Sequence, residues 1–99
     1  MKAKTPTKSL PDLNAEFLRA AGKGNLKAVR KWIASGNPVA WRGPGNSTAL
    51  IAAAENGHSE VVQLLIDAGA ELNEPTTGNW TALALASTRG HEAVVKVLL

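Results

Sequence analysis

Three glycines set the terms on which this chain can fold. Gly24, Gly57 and Gly90 stand 33 residues apart, and the residues around each repeat with them. The second unit runs Thr48-Ala-Leu-Ile-Ala-Ala-Ala-Glu-Asn-Gly-His-Ser-Glu-Val-Val-Gln-Leu-Leu-Ile-Asp-Ala-Gly69. The third runs Thr81-Ala-Leu-Ala-Leu-Ala-Ser-Thr-Arg-Gly-His-Glu-Ala-Val-Val-Lys-Val-Leu-Leu99. The first, Ala15 to Gly36, keeps the spacing and changes more of the residues. A fixed period of this length means a stack of similar units, none of which can bury its apolar face alone. A chain of 99 residues then forms one small repeat domain.

Each unit divides into two short helices and a connection. Thr48 and Thr81 stand where a hydroxyl can accept a hydrogen bond from the first helical turn. Leu50, Ile51, Ala53 and Ala54 follow at helical spacing. Gly57 ends that helix, because glycine enters the left-handed region at little cost. The second helix carries Val61, Val62, Leu64, Leu65 and Ile66 and stops at Gly69; Val94, Val95, Val97, Leu98 and Leu99 repeat the stripe. Small residues on the first helix and bulky ones on the second predict a curved stack. Residues 1–11 mix Lys, Thr, Pro and Ser and read as a mobile basic tail.

These residues resemble the ankyrin repeat family, and the resemblance runs from Asp12 to the end. It implies an all-α fold: an ankyrin-type helical solenoid of about three stacked helix-turn-helix repeats with β-hairpin-like fingers. The expected units are a capping repeat over 12–44, an internal repeat over 45–77 and an incomplete third over 78–99. The family's Asp-Gly finger turn is replaced by Gly45-Asn46 and Gly78-Asn79, where Asn tolerates positive φ. Its Pro after the capping threonine is replaced by Ala49 and Ala82. Its inter-repeat histidine is replaced by Ile51 and Ala84, which leaves cohesion between repeats to apolar packing.

The two ends differ. Glu16, Arg19 and Lys31 take positions that are apolar in the later units, as an exposed terminal face requires. Leu85, Val97, Leu98 and Leu99 show no matching change. That end reads as part of a longer stack, as a self-association face giving a homodimer, or as a tolerated edge.

The resemblance implies a non-catalytic protein-protein interaction module that binds through a concave surface. Carried across by position, that surface takes Lys23, Glu55, Asn56, Thr88 and Arg89 at helix ends, with Arg42, Ser47, Thr77 and Trp80 on the fingers. Trp41 and Trp80 add a signal of their own: they stand where the repeat otherwise places Glu74 and Ser47, so repeat packing does not account for them. Trp and Arg are favoured interface anchors. Trp32 aligns with Leu65 and Leu98 and reads as core.

Other chemistry finds little support. With no cysteine, the chain can form neither a disulfide nor a thiolate metal site, which fits a reducing, cytoplasmic setting. His58 and His91 lack the further ligands a metal site needs and read as structural parts of the inter-helix turn. No cofactor and no enzymatic activity are expected. Asn46-Ser-Thr48 and Asn79-Trp-Thr81 match a glycosylation pattern but read as a turn followed by a helix cap. Residues 1–44 hold nine cations against Asp12 and Glu16, whereas residues 45–99 hold Arg89 and Lys96 against six carboxylates. Lys27, Arg30 and Lys31 share one helical face with no interleaved aromatics, so nucleic acid and membrane are disfavoured as partners.

Overall fold

Helix boundaries in the computed structural model, which describes residues 10–99, fall where local chemistry places them. Helix α1 spans Leu10–Lys23, α2 Leu26–Ala34, α3 Ala49–Glu55, α4 Ser59–Asp67, α5 Ala82–Thr88 and α6 Glu92–Leu98. Residues 1–9, most of the expected tail, lie outside the described residues. Leu10 and Pro11, assigned to that tail on composition, open α1; proline is tolerated in a first turn, where its missing N–H has no partner to lose.

Thr48 Oγ1 accepts from Ile51 N at 3.2 Å and Thr81 Oγ1 from Ala84 N at 3.2 Å, so both expected caps are made. Asn25 caps α2 in the same way, its Oδ1 accepting from Ala28 N at 3.1 Å. Gly24, Gly57 and Gly90 reverse the chain between paired helices at φ of 76°, 80° and 76°.

The helical pairs stack in two layers. The inner helices α1, α3 and α5 lie side by side, and α2, α4 and α6 form the outer layer. Between neighbours on both sides, α3 buries Ala49, Leu50, Ile51, Ala53 and Ala54. Alanine lets both neighbours approach, while Leu50 and Ile51 add bulk to the core. Val61, Val62 and Leu65 supply the outer layer's share of the core. Each fully buried side chain of this size contributes roughly 1.5–3 kcal/mol by its removal from water. In the first repeat Phe17 is buried and stacks on Trp32, with ring centroids 4.5 Å apart and an 8° interplanar angle. Trp32 packs against the core as its alignment implied, and its Nε1 donates to Pro38 O at 2.8 Å.

Polar cohesion between repeats is present after all, and histidine supplies it from a different position. His58 Nε2 lies 3.0 Å from Gly22 O, and His91 Nε2 lies 2.9 Å from Glu55 O. A carbonyl can only accept, so each ring carries a proton on Nε2 and donates it. Each imidazole rests over the turn glycine of the preceding repeat. A Cβ on Gly24 would lie 2.6 Å from His58 Nδ1, and one on Gly57 would lie 2.7 Å from His91 Nδ1. These glycines therefore serve twice, once for positive φ and once to admit the ring.

Candidate functional site

The connections from Gly36 to Thr48 and from Gly69 to Thr81 form the fingers, which are loops; no strand occurs among the described residues. Both close in the same register. Gly43 N donates to Ser47 O at 2.8 Å, and 33 residues on Thr76 N donates to Trp80 O at 2.9 Å. Asn46 and Asn79 make the tip turns at φ of 60° and 67°, the conformation expected of them.

A second set of bonds ties finger to finger. Thr77 N donates to Gly45 O at 2.9 Å. Arg42 Nη1 donates to Asn46 O and to Pro75 O, each at 3.0 Å, and its other terminal nitrogen pairs with Glu74. Arg42, proposed from sequence as a partner contact, thus has both terminal nitrogens engaged inside the chain. A planar fork with donors on both sides suits this bridging, where a lysine ammonium would not span the same acceptors.

The two finger tryptophans have different fates. Trp41 is half-buried, and its ring lies with Leu18 beside Gly43, whose Cβ, if present, would meet Trp41 Cζ3 at 3.1 Å. Trp80 is 45 % exposed. Its backbone is held on both sides: Trp80 N donates to Thr76 Oγ1 at 3.2 Å, and Trp80 O accepts from Thr76 N. Ser47 is half-buried and Thr77 exposed.

At the inner helix ends, Lys23, Asn56, Thr88 and Arg89 are exposed. Arg89 Nη2 meets Glu55 Oε2 at 3.0 Å across the repeat boundary, with side chains 52 % and 35 % exposed. Asn56 Nδ2 donates to Ala52 O at 2.9 Å. Sequence reasoning placed these groups correctly at helix ends but missed that Glu55 and Arg89 pair. The signal was available: opposite charges 34 residues apart, one register step from the repeat period.

Beneath the fingers, Val39, Ala40, Arg42, Thr48, Ala70, Glu71 and Glu74 line a cavity of about 200 Å³. Sites for drug-sized ligands occupy roughly 300–1,000 Å³, so this one is small for such a role. Among the described residues no group of three or more His, Asp or Glu converges to hold a metal ion, and no helix is long and apolar enough to cross a membrane.

A stack of glycine-punctuated helical pairs with braced fingers has a counterpart among known families. Residues 17–99 match the family model for ankyrin repeats, in three copies. The chain belongs to the ankyrin repeat family. Ankyrin repeats are generally protein-protein interaction modules and are typically non-enzymatic. Comparison with curated proteins gave no match. Of the ankyrin positions proposed as partner contacts, Trp80, Asn56, Thr77, Thr88, Lys23 and Arg89 present side chains to solvent, while Trp41, Ser47, Glu55 and Arg42 are partly covered. At the other end of the stack Val97 and Leu98 are half-buried and Leu99 is 86 % exposed. Leu85 packs half-buried against the core, in the register of Ala52, which looks back along the stack.

Proposed function

We propose that this ankyrin domain is a non-catalytic module whose protein partner docks over the fingers and the inner helix ends, with Trp80 as its anchor. One observation carries the reading: a 45 % exposed indole on a finger whose backbone is already fixed by hydrogen bonds. A large apolar side chain on a backbone fixed before binding loses less entropy when a partner covers it. Arg89, Glu55, Asn56 and Thr88 supply the polar surroundings that give such an anchor its specificity. The bridging of both fingers by Arg42 supports the same reading, since it makes two loops into one platform.

The test is affinity capture from a native lysate with wild type and with Trp80→Ala/Arg89→Ala, each checked by circular dichroism. Loss of at least one captured protein with helicity intact is the expected result. Anchor truncations of this kind cost about 2 kcal/mol or more, a loss of over tenfold. Unchanged capture overturns the placement.

A second reading is favoured by the open face of α5 and α6. There Ser87, Gly90, His91, Glu92, Val95 and Lys96 surround a depression of about 500 Å³. Self-association through this face would cover that depression. A monomeric solution mass at high concentration removes this reading.

A further inference from the structure

The end of the stack built by α1 and α2 carries a charge that its structural task does not require. Residues 10–34 hold five cations, Arg19, Lys23, Lys27, Arg30 and Lys31, against the two carboxylates of Asp12 and Glu16. All five are exposed. The ion pairs among the described residues, Arg42–Glu74 and Arg89–Glu55, use none of them.

Repeat register gives their direction. Ala52 and Asn56 lie on the side of α3 turned back toward α1, since a Cβ on Gly22 would meet them at 3.7 and 3.5 Å. Arg19 and Lys23 hold the same two positions on α1, so they look outward from the first repeat. Lys27, Arg30 and Lys31 follow at i, i+3 and i+4 on α2, one exposed helical face. Between the two helices runs an apolar groove of about 120 Å³, lined by Leu13, Phe17, Ala20, Ala28 and Trp32 with Glu16 on its wall. Leu13 is 39 % exposed.

Capping explains polarity at this end but not its sign, because a mixture of charges would serve equally well. Helix electrostatics ask for the reverse. Lys27 sits in the first turn of α2, which holds no acid, while the aligned residue of α4 is Glu60. A cation there opposes the helix dipole, and Lys27 repels Lys31 one turn away. A local rule broken without a local gain is expected at functional or strained sites, and no strain accompanies this exposed position.

We propose that this end is a second docking surface, for an acidic protein segment that also carries apolar side chains. Its carboxylates meet Arg19, Lys23, Lys27, Arg30 and Lys31, and its apolar side chains enter the groove over Phe17 and Trp32. Charge complementarity and the groove together select this occupant. A nucleic acid would meet the same cations, but Phe17 and Trp32 are stacked on each other, not presented singly to bases. A flat anionic membrane would leave the groove empty.

The experiment titrates the full chain into a fluorescein-labelled Glu/Leu peptide and a Glu/Ser peptide of equal charge. Binding of the Glu/Leu peptide is expected, stronger than that of Glu/Ser and weakening as salt rises. Lys27→Glu/Lys31→Glu should weaken it by about tenfold or more. Trp80→Ala/Arg89→Ala should leave it unchanged, which keeps this surface distinct from the finger platform. Circular dichroism checks the fold of each variant; Lys27→Glu installs the sign that α4 already has at that position. Four results overturn the proposal: no binding at low ionic strength, equal binding by the reversed variant, no preference for Leu over Ser, or tighter binding of a DNA oligonucleotide or phosphatidylserine vesicles.

Discussion

Gly24 and Gly57 turn the chain at nearly the same φ, 76° and 80°, and each lies under the imidazole of the following repeat. The helices they serve bury very different surfaces. In the second repeat α4 buries Val61, Val62 and Leu65; in the first, its counterpart α2 buries Val29 alone. Punctuation is therefore local and repeats faithfully, whereas burial depends on how many neighbours a helix has. The same sequence frame gives a buried interior unit in the second repeat and a charged surface in the first.

Position-matched truncations test that difference most severely. Leu65 and Leu98 hold the same place in the second and third repeats, one fully buried and the other half-buried. Leu65→Ala should cost about 3 kcal/mol, from lost burial plus the cavity left between two packed neighbours. Leu98→Ala should cost roughly half of that, since less of the side chain leaves water on folding. Urea unfolding followed by circular dichroism measures both. Equal losses would show that position in the repeat, and not the number of neighbours, sets the energetics.

The turn glycines sharpen the comparison at the next level down. Gly57→Ala and Gly90→Ala share the left-handed strain, about 1 kcal/mol. Only at Gly57 does the new methyl meet a ring, 2.7 Å from His91 Nδ1; at Gly90 nothing lies within 4 Å. The imidazole must withdraw, and its 2.9 Å bond to Glu55 O goes with it, for about 1 kcal/mol more. The expected losses are thus about 2 kcal/mol at Gly57 and 1 kcal/mol at Gly90. In a His91→Ala background the two should become equal. A persistent gap there would assign the extra cost to something other than the ring.

What the sequence made legible follows the same division between local and neighbour-dependent. Thr48 and Thr81 as caps, the helix-ending glycines, Asn46 and Asn79 at positive φ and the Leu–Val stripes each depend on residues within one turn or one helix. Contacts across the repeat boundary were legible only where charges of opposite sign stood near one period apart, as at Glu55 and Arg89. His58 reaches Gly22 O across 36 residues and Arg42 reaches Pro75 O across 33, and neither span can be chosen before the stacking offset is known. The candidate surface suffered from the same gap. Arg42 and Trp41 are adjacent in sequence to features that looked free, yet the stack turns Arg42 into a bridge between fingers and folds Trp41 against Leu18 and Gly43. Trp80 stays exposed, with a glycine, Gly78, beside its ring.

The smallest effect bears on why the first repeat differs in sign as well as in burial. Lys27 and Glu60 occupy one aligned position in the first turns of α2 and α4. Lys27→Glu replaces a cation facing the positive helix end with an anion, and turns its repulsion from Lys31 into an i, i+4 attraction. Each change is worth a few tenths of a kcal/mol at an exposed site, so the variant should be more stable by about 0.5 kcal/mol. Glu60→Lys should lose a similar amount. Opposite signs would mean that the first repeat carries a charge its own helix disfavours, which solubility alone does not demand and an acidic partner would reward. Should Lys27→Glu instead destabilise the chain, the basic face would be part of the scaffold, and the difference between the repeats would reduce to burial alone.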